Sequence, residues 1–341
     1  MAANCQPRWQ RNCFSAQNIL LNKGSVMLTT GITFKRFIKR AISAASIVLL
    51  AIAMGTGGLA AWWLKTGRMP IAAGATYMTV TKTASADTTP VPGIAPIFVL
   101  VVGSDARSGE TVARGDAIHL VGVNPQSGQA TMLDIPRDTG AQIPGHGTDK
   151  INAAMSAGGP QLLADTVGNL VGVKVSFVVT TDFDGFIGMV NDLGGVDVNV
   201  ISRNVDREYS GANFEVGTTH MNGTQALAFS RNRHGFPSGD LKRSENQGYF
   251  ILQTLGQLRS NNPGPTATLG LLGNLGRHAH LVNMGWADAY RLGRLGLSLD
   301  PQNVRNLVIP VGSGVGSRLA LLGTARDLFN DFADDAVLQR H

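Results

Sequence analysis

Along the chain, apolar and polar positions fall into short continuous runs, alternating runs and helix-spaced stripes. Ile97–Gly103 is continuously apolar, as in a strand buried on both faces, and Ala117–Val123 and Ala130–Ile135 are the next strand candidates. Asn124-Pro125-Gln126-Ser127-Gly128 is a turn cluster joining the second run to the third, while Ser108, Gly109 and Gly115 break the first gap. Pro144–Gly147 reads as a loop. Asn152–Leu170, interrupted by Gly158-Gly159-Pro160, predicts two helices split by a turn. Val175–Thr180 predicts a strand. Thr181–Asp184 fits a capping box, and Phe183, Phe186, Ile187, Val190 and Leu193 follow at helical spacing until Gly194-Gly195. That stripe suits a core, and a lipid chain needs the same kind of surface. Val196–Val200 is a further strand. Asn222–Gln225 is a second capping pattern, opening a short helix toward Arg231, and a longer helix carries Phe250, Leu255 and Leu258. Beyond Asn261 the pattern predicts a helix around Trp286–Leu297, a strand around Val304–Val311 and a last helix over Thr324–Phe332.

The ionisable residues sit at the ends of the first three runs. If those runs are consecutive antiparallel strands, Asp105, Asp116 and Arg137 meet on one sheet edge, with Arg107 and Arg114 in the connecting loop. Two carboxylates and three guanidiniums suit a phosphate-rich ligand, because Mg²⁺ takes one or two carboxylates plus phosphate oxygens and Arg forks bind phosphate. On spacing alone a surface ion-pair network is an equal reading. A second polar cluster runs from Arg231, Arg233 and His234 to Asp240, Arg243 and Gln247. The last three stand at i, i+3 and i+7 and line one helix stripe. The bland alternative is a solvated helix face with a local Asp240–Arg243 pair, and an exposed loop for His234.

Composition adds a membrane. With 341 residues, 43% hydrophobic and 15% charged, the chain can bury a sizeable core. The net charge of +6 is spread along the chain and does not point to nucleic acid. Ala41–Leu64 is uncharged and long enough to cross a hydrocarbon core that needs roughly 20 residues. Lys35, Arg36, Lys39 and Arg40 precede it, against Lys65 and Arg68 after it, which orients the N-terminus to the cytoplasm. The expected organisation is a basic cytoplasmic tail over residues 1–40, a transmembrane helix over 41–64, an extended linker over 65–95 and an extracytoplasmic domain over 96–341. Both cysteines, Cys5 and Cys13, precede the anchor, so no disulfide is expected outside. A P-loop, a Rossmann fingerprint, a Cys/His metal set and G-x-S-x-G are missing.

GSDAR, RGDAIHLVGVNP, IPRDT, DKINAAMSAGG, DFDGF, DLGGVDVNV, GTQALAFSRNR and GDLKRSENQ follow one another between about Phe98 and Leu258. Together they resemble the LytR-CpsA-Psr (LCP) family of cell-wall glycopolymer transferases. The resemblance implies an α/β domain, a mixed central sheet flanked by helices, behind one transmembrane helix. It also implies Mg²⁺-dependent transfer of a glycopolymer from a polyprenyl-pyrophosphate carrier to a peptidoglycan hydroxyl, releasing polyprenyl phosphate. By position, Asp105 and Asp116 match the metal carboxylates. Arg107, Arg114, Arg137, Arg231, Arg233, Arg243 and Gln247 match the pyrophosphate-contacting set, with Asp240 beside them. Asp105, Asp116, Arg137 and Arg243 are the implied catalytic group. Asp134 stands where the family usually has Ser, adding a negative charge near the site, and Lys150 and Asn152 match a motif without an assigned role. A polyprenyl-pyrophosphate hydrolase and a non-catalytic lipid-binding envelope regulator are the rival readings.

Overall fold

The computed structural model describes residues 80–81, 95–105, 114–261 and 264–339, so the apolar run Ala41–Leu64 lies outside the described residues. Among the described residues no helix is long and apolar enough to cross a membrane. In chain order the elements are β1 (Val80–Thr81), β2 (Ile97–Ser104), β3 (Gly115–Asn124), β4 (Gln129–Asp134), β5 (Gly140–Ile143), β6 (Gly147–Lys150) and α1 (Ala153–Val171). Then come β7 (Phe177–Thr181), α2 (Phe183–Asp192), β8 (Val196–Val200), β9 (Asn204–Asp206), β10 (Ala212–Phe214), β11 (Gly217–Met221), α3 (Gly223–Arg231) and α4 (Asp240–Ser260). The chain continues through α5 (Pro265–His278), β12 (His280–Val282), α6 (Trp286–Ser298), β13 (Val304–Val308), β14 (Val311–Ser313), β15 (Leu319–Leu321) and α7 (Thr324–Asp335).

The central sheet has seven strands in the order β1-β12-β7-β2-β3-β4-β13. It is mixed: β2, β3 and β4 form the expected antiparallel meander, while β7 joins β2, β13 joins β4 and β1 joins β12 in parallel. The span expected as linker thus supplies an edge strand. Helices cover both sheet faces, which is why β2 reads as continuously apolar. Leu100, Val102, Ile118, Leu120 and Leu133 pack toward α1 and α7, meeting Leu163, Val167, Phe329 and Phe332. Ile97 and Phe177 pack with Leu272, Leu281 and Trp286 on the side of α5 and α6. Gly122 makes room for Phe332: a Cβ there would lie 2.7 Å from the ring.

A smaller layer packs β8 and β11 against α2, α3 and α4 through Val190, Val198, Phe229 and Phe250. Val190 is therefore core; Phe186 meets Phe250 at 5.6 Å between ring centroids. Helix α1 is broken as expected, at Gly158 and Gly159, where Gly159 takes φ +71 ahead of Pro160. The α2 cap is Asp182 rather than Thr181: Asp182 Oδ1 accepts from Gly185 N at 2.7 Å, and Thr181 Oγ1 donates to His278 O instead. The expected Val304–Val311 strand divides in two around Pro310, whose ring has no N–H for the ladder. Helix α5 and the hairpins β5–β6, β9–β10 and β14–β15 have no counterpart among the sequence expectations.

Candidate active site

Three elements bring the first cluster together at one end of the meander. Asp105 follows β2, Asp116 stands at the start of β3 beside an irregularity in the β2–β3 register, and Arg137 follows β4. Asp105 is tied to Arg114, donating its backbone N–H to Arg114 O at 3.1 Å and accepting from Arg114 N through Oδ1 at 2.7 Å. Arg107 lies outside the described residues. Arg137 Nη1 donates to Asp116 Oδ1 at 2.7 Å, with about a fifth of each side chain exposed. Burial opposes the Arg137 charge, but the bond to Asp116 and the surrounding carboxylates win, so its pKa lies above the ordinary value.

The turn bearing Arg137 is held from beneath. Thr139 Oγ1 donates to Pro136 O at 2.7 Å, Asn152 N donates to Arg137 O, Ile151 N to Thr139 O, and Lys150 pairs with Asp138 at 3.0 Å. Lys150 and Asn152 thereby gain a role that the sequence left open: they brace the Arg137 turn against the start of α1.

The second cluster arrives on α4. Arg243 is 6% exposed, which excludes the solvated-face reading, although the local pair with Asp240 does form, Nη2 to Oδ1 at 2.8 Å. Arg243 Nη2 also approaches Asp116 O at 3.4 Å, so α4 reaches the β3 edge and the two clusters are one site. Burial lowers the Arg243 pKa, with Arg137 and Arg233 adding repulsion and Asp240 and Asp116 opposing them. Gln247 Nε2 donates to Ser230 O at 3.0 Å, tying α4 to α3. Arg231 and Arg233 are exposed at the rim, and the Arg231 guanidinium sits 4.9 Å from the centre of the Phe183 ring. His234 is exposed as read, 3.5 Å from Asp206 and in tilted ring contact with Tyr209 at 4.2 Å between centroids.

Within this cluster Arg137 Nε, Arg243 Nε, Gln247 Oε1 and both Asp240 oxygens are buried with no aligned hydrogen-bond partner; the Arg243–Asp240 contact is ionic but off axis. So many orphaned polar atoms in one place is the signature of groups set for a ligand. Asp134 does not join them. It is fully buried, 2.6 Å from His119 Nδ1, and burial raises its pKa against the opposing His119. The expected extra charge at the arginine cluster is instead paired inside the domain.

The profile of the LytR_cpsA_psr family matches residues 73–321. The chain belongs to this family. The match reaches beyond the motif span 98–258 at both ends and takes in β12 to β15. Among relatives, the polyisoprenyl-teichoic acid–peptidoglycan teichoic acid transferase TagU of Bacillus subtilis (strain 168) is 38% identical over 157 residues, 46% of this chain and 50% of that protein. The chain thus spans about half the length of the curated relatives it matches. Among solved structures in the family's fold, TagV of B. subtilis superposes with a TM-score of 0.62 at 25% identity, covering 71% of this chain and 97% of that one. TagT bound to LI-WTA gives 0.60 at 27% identity, covering 79% and 99%.

Proposed function

We propose that this protein is a membrane-anchored, extracytoplasmic phosphotransferase that moves a glycopolymer from a polyprenyl-pyrophosphate carrier to peptidoglycan and releases polyprenyl phosphate. The observation that carries the reading is the group of orphaned polar atoms on Arg137, Arg243, Gln247 and Asp240 beside two carboxylates. The name of TagU supports the donor and acceptor classes. The anchor and its orientation rest on Ala41–Leu64 and the lysines and arginines around it.

In the reaction, an acceptor hydroxyl oxygen bonds to the glycan-side phosphorus as the bridging P–O bond breaks, and that electron pair leaves on polyprenyl phosphate. Charge accumulates on the bridging and equatorial oxygens, so catalysis is mostly positioning and neutralisation. Arg137 and Arg243 serve from inside the site, Arg231 and Arg233 from its rim and Arg114 from just before β3, and Arg107 joins them on the family resemblance. Gln247 fixes the α4 side of the cradle against α3. Asp240, whose oxygens lack an aligned hydrogen donor, receives the acceptor hydroxyl and takes its proton as the O–P bond forms.

The donor set fits Mg²⁺. Among the described residues no three His, Cys, Asp or Glu side chains could hold a metal together, whereas Mg²⁺ characteristically takes one or two carboxylates and completes its shell with phosphate and water. Asp105 and Asp116 would hold it, each spending Oδ1 on a protein donor. When bound, the cation supplies positive charge to the pyrophosphate oxygens.

The test uses the full chain in detergent with a synthetic polyprenyl-pyrophosphate glycan, Mg²⁺ and peptidoglycan fragments. A phosphodiester-linked glycan that disappears in Arg137→Ala is the expected product. Polyprenyl phosphate without linked glycan would instead identify a hydrolase, and binding without turnover a lipid-binding protein.

A further inference from the structure

Directly behind the site lies a buried polar cluster that the reaction does not use. Asp134 and His119 are cross-strand partners in the β3–β4 register, 0% and 2% exposed, and joined at 2.6 Å. Each stands three positions along the chain from a site residue: His119 from Asp116 on β3, Asp134 at the end of β4 from Arg137 just beyond it. Helix α4 lies over this pair at Gly248, five residues beyond Arg243. A Cβ on Gly248 would sit 2.5 Å from both Asp134 oxygens and 2.6 Å from Asn306 Oδ1 of β13. Those atoms have little freedom to yield, because Asp134 is locked to His119 and Ile309 N bonds to its main-chain oxygen. Asp134 Oδ2, His119 Nε2 and Asn306 Oδ1 have no hydrogen-bond partner, so the cluster contributes little to stability for its polarity.

We propose that the Asp134–His119 pair is the seat that sets the height of α4 above the sheet, making Asp134, His119 and Gly248 positioning residues for Arg243. The same three elements carry seat and site, so a helix lifted at Gly248 swings Arg243 away from Asp116. Contact between Arg243 and Asp116 O is already at the limit of a hydrogen bond, 3.4 Å, and a small rise breaks it. The seat's effect on ligand binding rests on the pyrophosphate reading above; its effect on Arg243 does not.

The experiment takes the full chain in detergent and reads two things: the Nε–H resonance of Arg243 and affinity for inorganic pyrophosphate with Mg²⁺. Gly248→Ala is expected to shift that resonance and weaken binding about tenfold or more, the equivalent of one charge-assisted hydrogen bond. Asp134→Ser alone empties the seat and moves both readouts as well. Combined, the alanine methyl refills the vacated space and both readouts return toward wild type, a non-additivity expected only of residues that share a contact. A plain stability defect would instead add in the double variant. An unmoved Arg243 resonance in Gly248→Ala, or a double variant no better than the worse single, overturns the proposal. Wild-type protein that ignores pyrophosphate, while the resonance shifts and recovers, would remove the pyrophosphate reading and leave the seat standing.

Discussion

Replacing Arg243 with methionine separates a ligand-binding arginine from a scaffold arginine. The side chain is 6% exposed, its Nε has no partner, and burial already pushes its pKa down, so the folded protein holds this charge at a cost. Methionine fills similar volume without that cost. It does strand Asp240, both of whose carboxylate oxygens are buried. Breaking a fully buried pair costs about 3–5 kcal/mol. The relief of Arg243 desolvation offsets part of this and brings the net change to about 2–3 kcal/mol. Ligand affinity answers differently. A charge-assisted hydrogen bond contributes about 1.5–3 kcal/mol, so losing one weakens pyrophosphate binding roughly 10- to 150-fold. Urea denaturation gives the first quantity and titration calorimetry with inorganic pyrophosphate and Mg²⁺ the second. A variant that loses more than about 4 kcal/mol of stability yet binds as wild type would falsify the assignment, making Arg243 a structural partner of Asp240.

Asp116→Asn leaves the partly exposed bond to Arg137, about a fifth open on each side, replaceable by an amide contact, so stability falls by no more than about 1 kcal/mol while Mg²⁺-dependent transfer drops at least about 100-fold; transfer with unchanged Mg²⁺ dependence would remove Asp116 from the metal. Phe332→Ala empties a fully buried position facing Phe98 and Gly122 and is expected to cost about 3–5 kcal/mol by chemical denaturation; a loss below about 1 kcal/mol would show that α7 does not close this face. Asp192 has its pKa held below the ordinary 3.8 by bonds from Arg277 and then His278, so its contribution is full above that value and lost as pH falls through the lowered one. Melting curves of wild type and Asp192→Asn should therefore differ at neutral pH and converge in strong acid, and a gap that persists there would assign the effect to packing.

The meander and the site edge were readable because apolar runs with charges only at their ends constrain both strand and register. Asp105, Asp116 and Arg137 came to one edge for that reason. The joining of the two clusters was not readable: no local signal says that Arg243 reaches Asp116, since the contact spans 127 residues and is set by α4 packing. Asp134 shows the opposite failure. Its charge near IPRDT suggested site electrostatics, but its partner, His119, lies across the β3–β4 pair, and only the register reveals it. Short hairpins such as β9–β10 escaped because three-residue strands carry too little periodicity to separate from loop. The bracing of the Arg137 turn depends on backbone bonds from Asn152 and Ile151 and on a Lys150–Asp138 pair set by the turn of the chain between them, none of which side-chain patterns encode.

Strand β13 pairs in parallel with β4 over five registered positions, Val304 opposite Ala130 through Val308 opposite Asp134. Until that late segment has emerged and docked, β4 is a bare sheet edge, and the turn that carries Arg137 is braced only from β6 and the start of α1. Assembly order therefore makes the joined Arg137–Arg243 cluster one of the last regions to acquire its final shape. Nascent chains stalled before residue 304 lack both β13 and α7, so they are expected to leave the α1 face of the sheet open, to expose an adhesive edge meanwhile, and to complete the site only once residues 304–339 have docked.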